Sequence, residues 1–323
     1  MTPTHVTSAA TDIDVDALAL DPADASPGPG AGAVAAVRPS RLADYYELTK
    51  PRMNFLVVVT TAVGYYMAVR HSVEWVRLVQ TIVGTFLTAA GASVLNQFVE
   101  RDHDARMPRT ANRPLPAGRL APREALVFGV ALGALGVATL ALLVNPLTAF
   151  LGLFTLATYV FIYTPMKRFS TLNTVVGAIP GAIPPVMGFA AVHGTVTVEA
   201  LALFGVLFVW QMPHFLAIAI LYRKDYAAGG FLMLPVVDES LEMTGRQIVL
   251  YAAALVPVSL MPVALHMAGP VYFTAATLLG LGFLTFGISC ATSRTRLDAR
   301  RLFLSSIMYL PLLLAFLMFD KVR

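Results

Sequence analysis

Long apolar stretches separated by short charged segments dominate the hydropathy pattern of this chain. Nine stretches of about 20 residues recur, and each is long enough to cross a hydrocarbon layer of about 30 Å as a helix. The expected spans are 53–70, 78–99, 124–143, 147–164, 172–192, 200–221, 247–267, 270–292 and 302–319. The pattern predicts an all-α polytopic membrane protein with nine transmembrane helices in a lipid bilayer.

The composition agrees with this prediction. Of 323 residues, 57% are hydrophobic and only 13% are charged, whereas a soluble domain has about 25% charged residues. Cys290, within an apolar stretch, is the single cysteine. Because there is only one, an internal disulfide and a cysteine-based metal site are excluded. The net charge of +4 does not indicate nucleic-acid binding, because the basic residues cluster in alternate loops, as orientation in a membrane requires.

The loop charges also predict the topology. Lys and Arg concentrate after the second, fourth, sixth and eighth spans, whereas the turns near Asn145, His193 and His266 contain none. The first outer loop, with Arg70 and Arg77, is the exception. The positive-inside rule therefore places the N-terminus and the charged loops in the cytoplasm and the C-terminus outside.

The beginning of the chain has a different character. Residues 1–40 are rich in Ala, Asp, Pro and Gly, and their acidic start fits neither a signal peptide nor a transit peptide. We predict a disordered cytoplasmic tail there, followed by the membrane domain at 41–323.

An amide and two carboxylates repeat every four residues where the second span ends, at Asn96, Glu100 and Asp104. Each step turns a helix by about 400°, so the three side chains share one stripe about 12 Å long. Oxygen ligands on one stripe suit a hard divalent cation such as Mg²⁺. Arg109 and Arg113 follow, and guanidinium groups suit phosphate oxygens. These residue types together indicate a metal–diphosphate site.

A competing interpretation is a helix end at which the acids simply meet water. Against it, Asn96 and Glu100 still lie within the apolar stretch. An acid at the centre of a membrane helix costs about 2.5–3.5 kcal/mol, which makes a function the default interpretation.

The motif resembles that of the UbiA superfamily of intramembrane prenyltransferases. After Asp104 it continues with Met107, Arg109-Thr110, Asn112-Arg113-Pro114 and Gly118. Within the superfamily, the chain is most similar to the branch that farnesylates heme, over roughly residues 42–320. The other matching segments are TKPR at 49–52, YTPMKR at 163–168, GA at 181–182, PP at 184–185, WQMPHF at 210–215, YRKDY at 222–226 and MLPV at 233–236.

The resemblance implies a fold, an activity and a set of partners. The fold is nine helices around a central cavity. The activity is Mg²⁺-dependent transfer of a farnesyl group from farnesyl diphosphate to a vinyl group of protoheme IX (heme b), which gives heme O for heme A and cytochrome oxidase biogenesis. The location is the bacterial plasma (inner) membrane, and heme A synthase is a candidate partner.

The resemblance also implies site residues. The metal is expected to bind Asn96, Glu100, Asp104 and Asp225, and these four are the catalytic residues. The diphosphate is expected to contact Arg109, Arg113 and Lys167, with Lys50 and Arg223 as further candidates.

The chain departs from the family pattern at the second acidic motif. Leu221 stands where the first of two acids is usual, and only Asp225 remains. This departure leaves the number of metal ions open and counts against an acceptor of the quinone type.

His214 is the one histidine well inside a predicted helix. It could donate a hydrogen bond to a neighbouring helix, or it could bind substrate heme as an iron ligand or propionate partner. His103 falls off the Asn96 stripe and is expected to be solvated.

Two other functions stay open at this stage: transfer to a quinone or chlorophyll precursor, and a non-catalytic heme-binding membrane protein or transporter. Transporters often carry charges near the membrane midplane. Here the charges gather at one face, which favours a substrate entering from the cytoplasm.

Overall fold

The computed structural model describes residues 40–322, and within that range the chain is helical with no strand longer than an isolated bridge. A π-helical segment, Thr158–Tyr163, lies between the fifth and sixth helices. The helices are α1 Arg41–Leu48, α2 Pro51–Ala68, α3 Trp75–Asp104, α4 Pro122–Leu143, α5 Pro146–Ala157, α6 Thr164–Met166, α7 Asn173–Ala182, α8 Pro184–His193, α9 Val198–Leu221, α10 Arg223–Ala228, α11 Leu234–Val237, α12 Glu242–Ala264, α13 Pro270–Ser293 and α14 Arg296–Phe319. The predicted tail at 1–40 lies outside the described residues except for Ser40, which caps α1.

The long helices match the predicted membrane spans. Among the described residues, eight helical stretches are long and apolar enough to cross a membrane. A further helix, α2, coincides with the first predicted span, but Arg52 and Asn54 near its beginning reduce its apolar character. The all-α polytopic architecture is therefore confirmed, and nine spans are consistent with it. The central cavity stays a prediction.

Two of the spans are broken by local structure. The stretch Pro146–Met166 changes from α-helix to π-helix near Pro165, which has no N–H to donate to the preceding turn. The stretch Asn173–His193 is divided at Ile183, immediately before Pro184 and Pro185. Such breaks are tolerated in a membrane where neighbouring helices satisfy the freed backbone groups.

Glycines allow the closest helix contacts. A Cβ added to Gly91 of α3 would lie 2.6 Å from the backbone nitrogen of Gly133 of α4. A Cβ added to Gly188 of α8 would lie 2.2 Å from the carbonyl oxygen of Thr61 of α2. Packing through small residues is the usual way in which membrane helices associate. The bundle closes on itself because α14 packs against both α9 and α2.

The charged loops meet at one end of the bundle. Arg168, after α6, donates to the carbonyl of Val99 on α3 at 3.1 Å, and Arg294, after α13, donates to the carbonyl of Ser240 at 3.3 Å. At the opposite end, Asn145 donates to the carbonyl of Ala190 at 2.7 Å. The alternation of charged and uncharged turns along the sequence thus corresponds to two ends of one bundle.

Candidate active site

The predicted stripe is a continuous face of α3. This helix runs to Asp104, beyond the predicted end at residue 99, so that Asn96, Glu100 and Asp104 all lie within it. Their side chains are buried, with exposed fractions of 2%, 4% and 1%. The interpretation as a helix end at which acids meet water is therefore wrong. These are buried polar groups, and groups of this kind require partners.

Each side chain of the stripe faces a different cation. Lys50 Nζ donates to Asn96 Oδ1 at 3.1 Å, and Lys167 Nζ lies 2.8 Å from Glu100 Oε1. Arg113 donates from its NH1 group to Asp104 Oδ2 at 2.7 Å. The three cations come from three separate segments: the residue before α2, the turn after α6 and the loop after α3. The stripe and its cations form three pairs of side chains, Asn96–Lys50, Glu100–Lys167 and Asp104–Arg113, which we call the α3 ladder.

Lys50 reaches the ladder from an unusual backbone conformation. Its φ is 46° and its ψ is 58°, in the left-handed region, immediately before Pro51. A non-glycine residue in this region carries local strain of about 1–3 kcal/mol, a feature that often occurs at functional sites. Burial and then repulsion from Arg113 lower the pKa of Lys50 to about 7. Lys50 therefore loses its proton at a lower pH than Lys167 does.

The pair Glu100–Lys167 lies at the centre of the ladder. Burial acts against the charge on Lys167, but attraction to Glu100, together with Tyr163 and Tyr159, outweighs it and raises the pKa of the lysine. Lys167 Nζ also lies 4.6 Å from the ring centroid of Tyr163. At 2.8 Å the ammonium and the carboxylate form an ion pair. Apart from this contact, Glu100 Oε1 is buried without a hydrogen-bond donor.

Thr164 is a site residue that the sequence reasoning missed. Asn96 Nδ2 donates to Thr164 Oγ1 at 3.0 Å, and this hydroxyl donates to the carbonyl of Tyr159 at 2.8 Å. Tyr159 lies in the π-helical segment, where the irregular backbone leaves a carbonyl for a side chain. Thr164 thereby turns the amide so that Asn96 Oδ1 faces Lys50. The only sequence signal was the Thr164-Pro165 pair in the YTPMKR segment.

The second charged segment lies beside the first but is organised differently. Asp225 is on the short helix α10 and is half-buried, and its side chain has no polar partner among residues 40–322. Arg223 donates to the carbonyl of Glu239 at 3.3 Å. Within the same residues, no three His, Cys, Asp or Glu side chains form a ready-made metal site. The structure thus joins Asn96, Glu100 and Asp104 with three cations, and it does not pair Asp225 or Arg223 with them.

Two side chains connect the segments. Arg109 lies over the ring of Tyr222, with 4.6 Å between Cζ and the centroid. His103 donates from Nδ1 to the carbonyl of Gly229 at 2.7 Å and stacks on Phe231 at 5.2 Å. The prediction that His103 is solvated is therefore wrong. Although it lies off the stripe, the 222–233 segment packs against it and leaves it half-buried.

Comparison with known proteins identifies the family. Residues 57–314 match the model of the UbiA prenyltransferase family. The chain belongs to the UbiA prenyltransferase family. The family prediction made from the motifs is confirmed.

Curated members of this family resemble the chain over nearly their whole length. A protein from Solibacter usitatus called "Protoheme IX farnesyltransferase" is 49% identical over 289 residues, which is 87% of this chain and 99% of the relative. The protein of the same name from Koribacter versatilis is 42% identical over 302 residues, covering 89% of this chain and 97% of the relative.

Solved structures share the fold of this UbiA-family protein. A digeranylgeranylglyceryl phosphate synthase superposes with a TM-score of 0.71 at 16% identity, covering 86% of this chain and 98% of the other. A UbiA homologue from Archaeoglobus fulgidus, bound to DMAPP and Mg²⁺, superposes with a TM-score of 0.61 at 17% identity, covering 85% and 99%. The fold is thus that of multi-pass membrane prenyltransferases, and a member of the family binds a prenyl diphosphate with a divalent metal.

His214 lies between two membrane helices, α9 and α14. Its Nδ1 lies 2.7 Å from Ser306 Oγ on α14, so the expected hydrogen bond between helices is present. Its ring stacks on Trp210 with 5.0 Å between centroids. This bond uses only one of the two ring nitrogens.

Two surface cavities lie at the other end of the bundle. One, of about 230 Å³, is lined by Tyr65, Arg70, His71, Arg77 and neighbouring residues. The other, of about 520 Å³, is lined by residues around Trp75 and Leu143. Neither includes a residue of the α3 ladder, so the candidate active site rests on buried charge and donor chemistry.

Proposed function

We propose that the protein transfers a farnesyl group from farnesyl diphosphate to a vinyl group of heme b, giving heme O. The observation that carries the proposal is the α3 ladder, in which two buried carboxylates and a buried amide oxygen each face a cation. Near-full-length relatives called "Protoheme IX farnesyltransferase" support the choice of substrates. Heme A synthase is the enzyme that we propose receives the product.

The donor set of the ladder fits Mg²⁺. Glu100 Oε1 is a buried hard oxygen that pairs with Lys167 Nζ at 2.8 Å, and Mg²⁺ would take the place of this ammonium. We propose that Asn96, Glu100 and Asp104 hold the metal, with Asp225 contributing from α10. When bound, Mg²⁺ would neutralise negative charge on the diphosphate as it leaves.

The cations of the ladder are placed to bind the diphosphate. Lys167 and Arg113 are held against carboxylates, and we propose that their N–H groups turn to phosphate oxygens when the substrate binds. Lys50 and Arg109 are further contacts. Arg223 is a weaker candidate, since it donates to a backbone carbonyl.

The reaction that these residues serve breaks the bond between C1 of the farnesyl chain and the diphosphate oxygen. C1 then bonds to a vinyl carbon of heme, and water adds to the other vinyl carbon. The products are a hydroxyethylfarnesyl group, diphosphate and one proton. Lys167 and Arg113 stabilise the departing diphosphate, because charge develops on its oxygens as the bond breaks.

The experiment is an assay of the purified protein in lipid nanodiscs with farnesyl diphosphate and Mg²⁺. Heme b and 4-hydroxybenzoate are offered separately, and products are identified by mass spectrometry. Farnesylated heme that disappears with a chelator supports the proposal. Product from 4-hydroxybenzoate alone would indicate a quinone-type enzyme, and heme binding with no product from either acceptor would indicate a non-catalytic protein.

We propose that the protein lies in the bacterial plasma (inner) membrane, with the N-terminus and the charged end of the bundle in the cytoplasm. The asymmetry of Lys and Arg between alternate loops supports this orientation. Alkaline phosphatase fused after residue 322 should be active, because that enzyme folds only outside the cytoplasm. An inactive fusion with normal abundance would reverse the orientation.

A further inference from the structure

His214 and Ser306 belong to a cluster that the diphosphate chemistry does not use. His214 of α9 lies between the rings of Trp210 and Phe303, with centroid distances of 5.0 and 5.2 Å. Trp210 Nε1 donates to the backbone carbonyl of Ser306 at 3.0 Å. Ser306 is fully buried. Stacking and hydrogen bonding thus hold the imidazole in one orientation between α9 and α14.

The positions of the hydrogen atoms in this cluster follow from two short distances. Ser306 Oγ lies 2.5 Å from the carbonyl oxygen of Phe303. A carbonyl oxygen only accepts, so the hydroxyl hydrogen must lie between these two oxygens. The contact of 2.7 Å between Ser306 Oγ and His214 Nδ1 also needs a hydrogen. The hydroxyl has already donated its only one, and His214 Nδ1 must therefore be the donor.

This assignment determines the other nitrogen of the ring. When Nδ1 of a neutral imidazole carries the hydrogen, Nε2 carries the lone pair. Nε2 has no hydrogen-bond partner within residues 40–322. It is also not among the fully buried unpaired atoms of this range, so part of its surface is accessible. Histidines that bind metals in proteins usually have this arrangement, with the second ring nitrogen donating to a fixed acceptor.

We infer that Ser306 sets the tautomer of His214 so that His214 Nε2 is an axial ligand of the iron of the substrate heme. The inference rests on the proposed function, because it assigns a contact for the tetrapyrrole acceptor. Ser306 acts through His214 and is a positioning residue. Trp210 and Phe303 prevent the ring from turning Nε2 toward Ser306.

The experiment measures ferric heme b binding to the purified protein in nanodiscs without farnesyl diphosphate, by optical and electron paramagnetic resonance spectra. Four variants are compared. His214→Asn keeps a side-chain N–H close to the position of Nδ1 and removes Nε2. His214→Ala removes the whole ring, and Ser306→Ala removes the acceptor. Ser305→Ala is the matched control, since Ser305 makes the same kind of bond, to the carbonyl of Leu302 at 2.8 Å, without touching His214.

The wild-type protein should give the spectrum of histidine-ligated heme, and both His214 variants should lose it. Added imidazole should restore it in His214→Ala. Ser306→Ala should weaken heme affinity by about 10-fold, as removal of a group that orients a metal ligand commonly does, while Ser305→Ala leaves it unchanged.

A histidine-ligated spectrum that survives in His214→Asn would overturn the inference, and so would equal affinities for Ser306→Ala and Ser305→Ala. The farnesyl-transfer assay is run on the same preparations. If heme is farnesylated without a histidine-ligated spectrum, the inference fails and the proposed function stands. If the spectrum shows ligation but no product forms from heme, the proposed function fails.

Discussion

The two charged segments at the same end of the bundle, one following α3 and one following α9, differ in how their acids are held. Glu100 and Asp104 are buried in a long helix, and each faces a cation at 2.7–2.8 Å. Asp225 is half-buried on a six-residue helix and has no polar partner among residues 40–322. A buried carboxylate requires compensation in the absence of ligand, whereas a partly exposed one is compensated by water. Thus the carboxylates of the first segment are held in place before a ligand binds, whereas the carboxylate of Asp225 is free to bind one.

Removal of one carboxylate from the α3 ladder should have the largest effect. We expect Asp104→Asn to reduce farnesyl transfer by about 10²–10³-fold, the range found when one preorganised charge-stabilising group is lost. The measurement is turnover as a function of Mg²⁺ concentration. Asp102→Asn is the control, because Asp102 is on the same helix with its side chain 71% exposed. Activity of Asp104→Asn within twofold of the control would remove Asp104 from the metal site.

Arg113 and Arg223 allow the same comparison between the first and the second charged segment. Arg113→Ala should reduce kcat/KM for farnesyl diphosphate by about 10–100-fold, since a hydrogen bond to a charged group contributes about 1.5–3 kcal/mol. Arg223→Ala should change it by less than about threefold, because a neutral hydrogen bond contributes about 1 kcal/mol or less and Arg223 donates to a backbone carbonyl. Steady-state kinetics at saturating heme b measures both. Equal losses would mean that Arg223 turns into the site when substrate binds.

Asp225→Asn tests the second segment directly. We expect a loss of about 10-fold, corresponding to about 1.4 kcal/mol, because this single acid joins a metal that the α3 residues already hold. The loss should shrink at high Mg²⁺ concentration. A defect as large as that of Asp104→Asn would show that the two segments contribute equally, in spite of their different pairing.

The contact between the segments should have the smallest effect. His103→Ala removes the donor to the carbonyl of Gly229 and the stack on Phe231. A neutral hydrogen bond contributes about 0.5–1.5 kcal/mol, so turnover should fall only a few-fold and the melting temperature by a few degrees. His71→Ala, an exposed histidine at the other end of the bundle, is the control. A large loss of activity with an unchanged melting temperature would give His103 a direct part in the chemistry.

The α3 ladder separates what a sequence can and cannot predict. The stripe of Asn96, Glu100 and Asp104 was predictable because helical periodicity is local and four-residue spacing keeps side chains on one face. The match of each oxygen to Lys50, Lys167 or Arg113 was not, since two of the cations arrive from distant segments through helix packing. Thr164 was missed for a related reason: its part depends on a π-helical carbonyl that no periodicity reveals.

The sequence by itself determined the helical membrane architecture, the alternation of charged loops and the family, because these follow from hydropathy, local charge and motifs. The tertiary structure decided which acids are buried, which cations pair with them and that His103 is covered. It also fixed the hydrogen positions in the His214–Ser306 cluster, which depend on one distance between α9 and α14 and one distance within α14. Side-chain partners across a bundle are set by packing, and packing is a property of the whole fold.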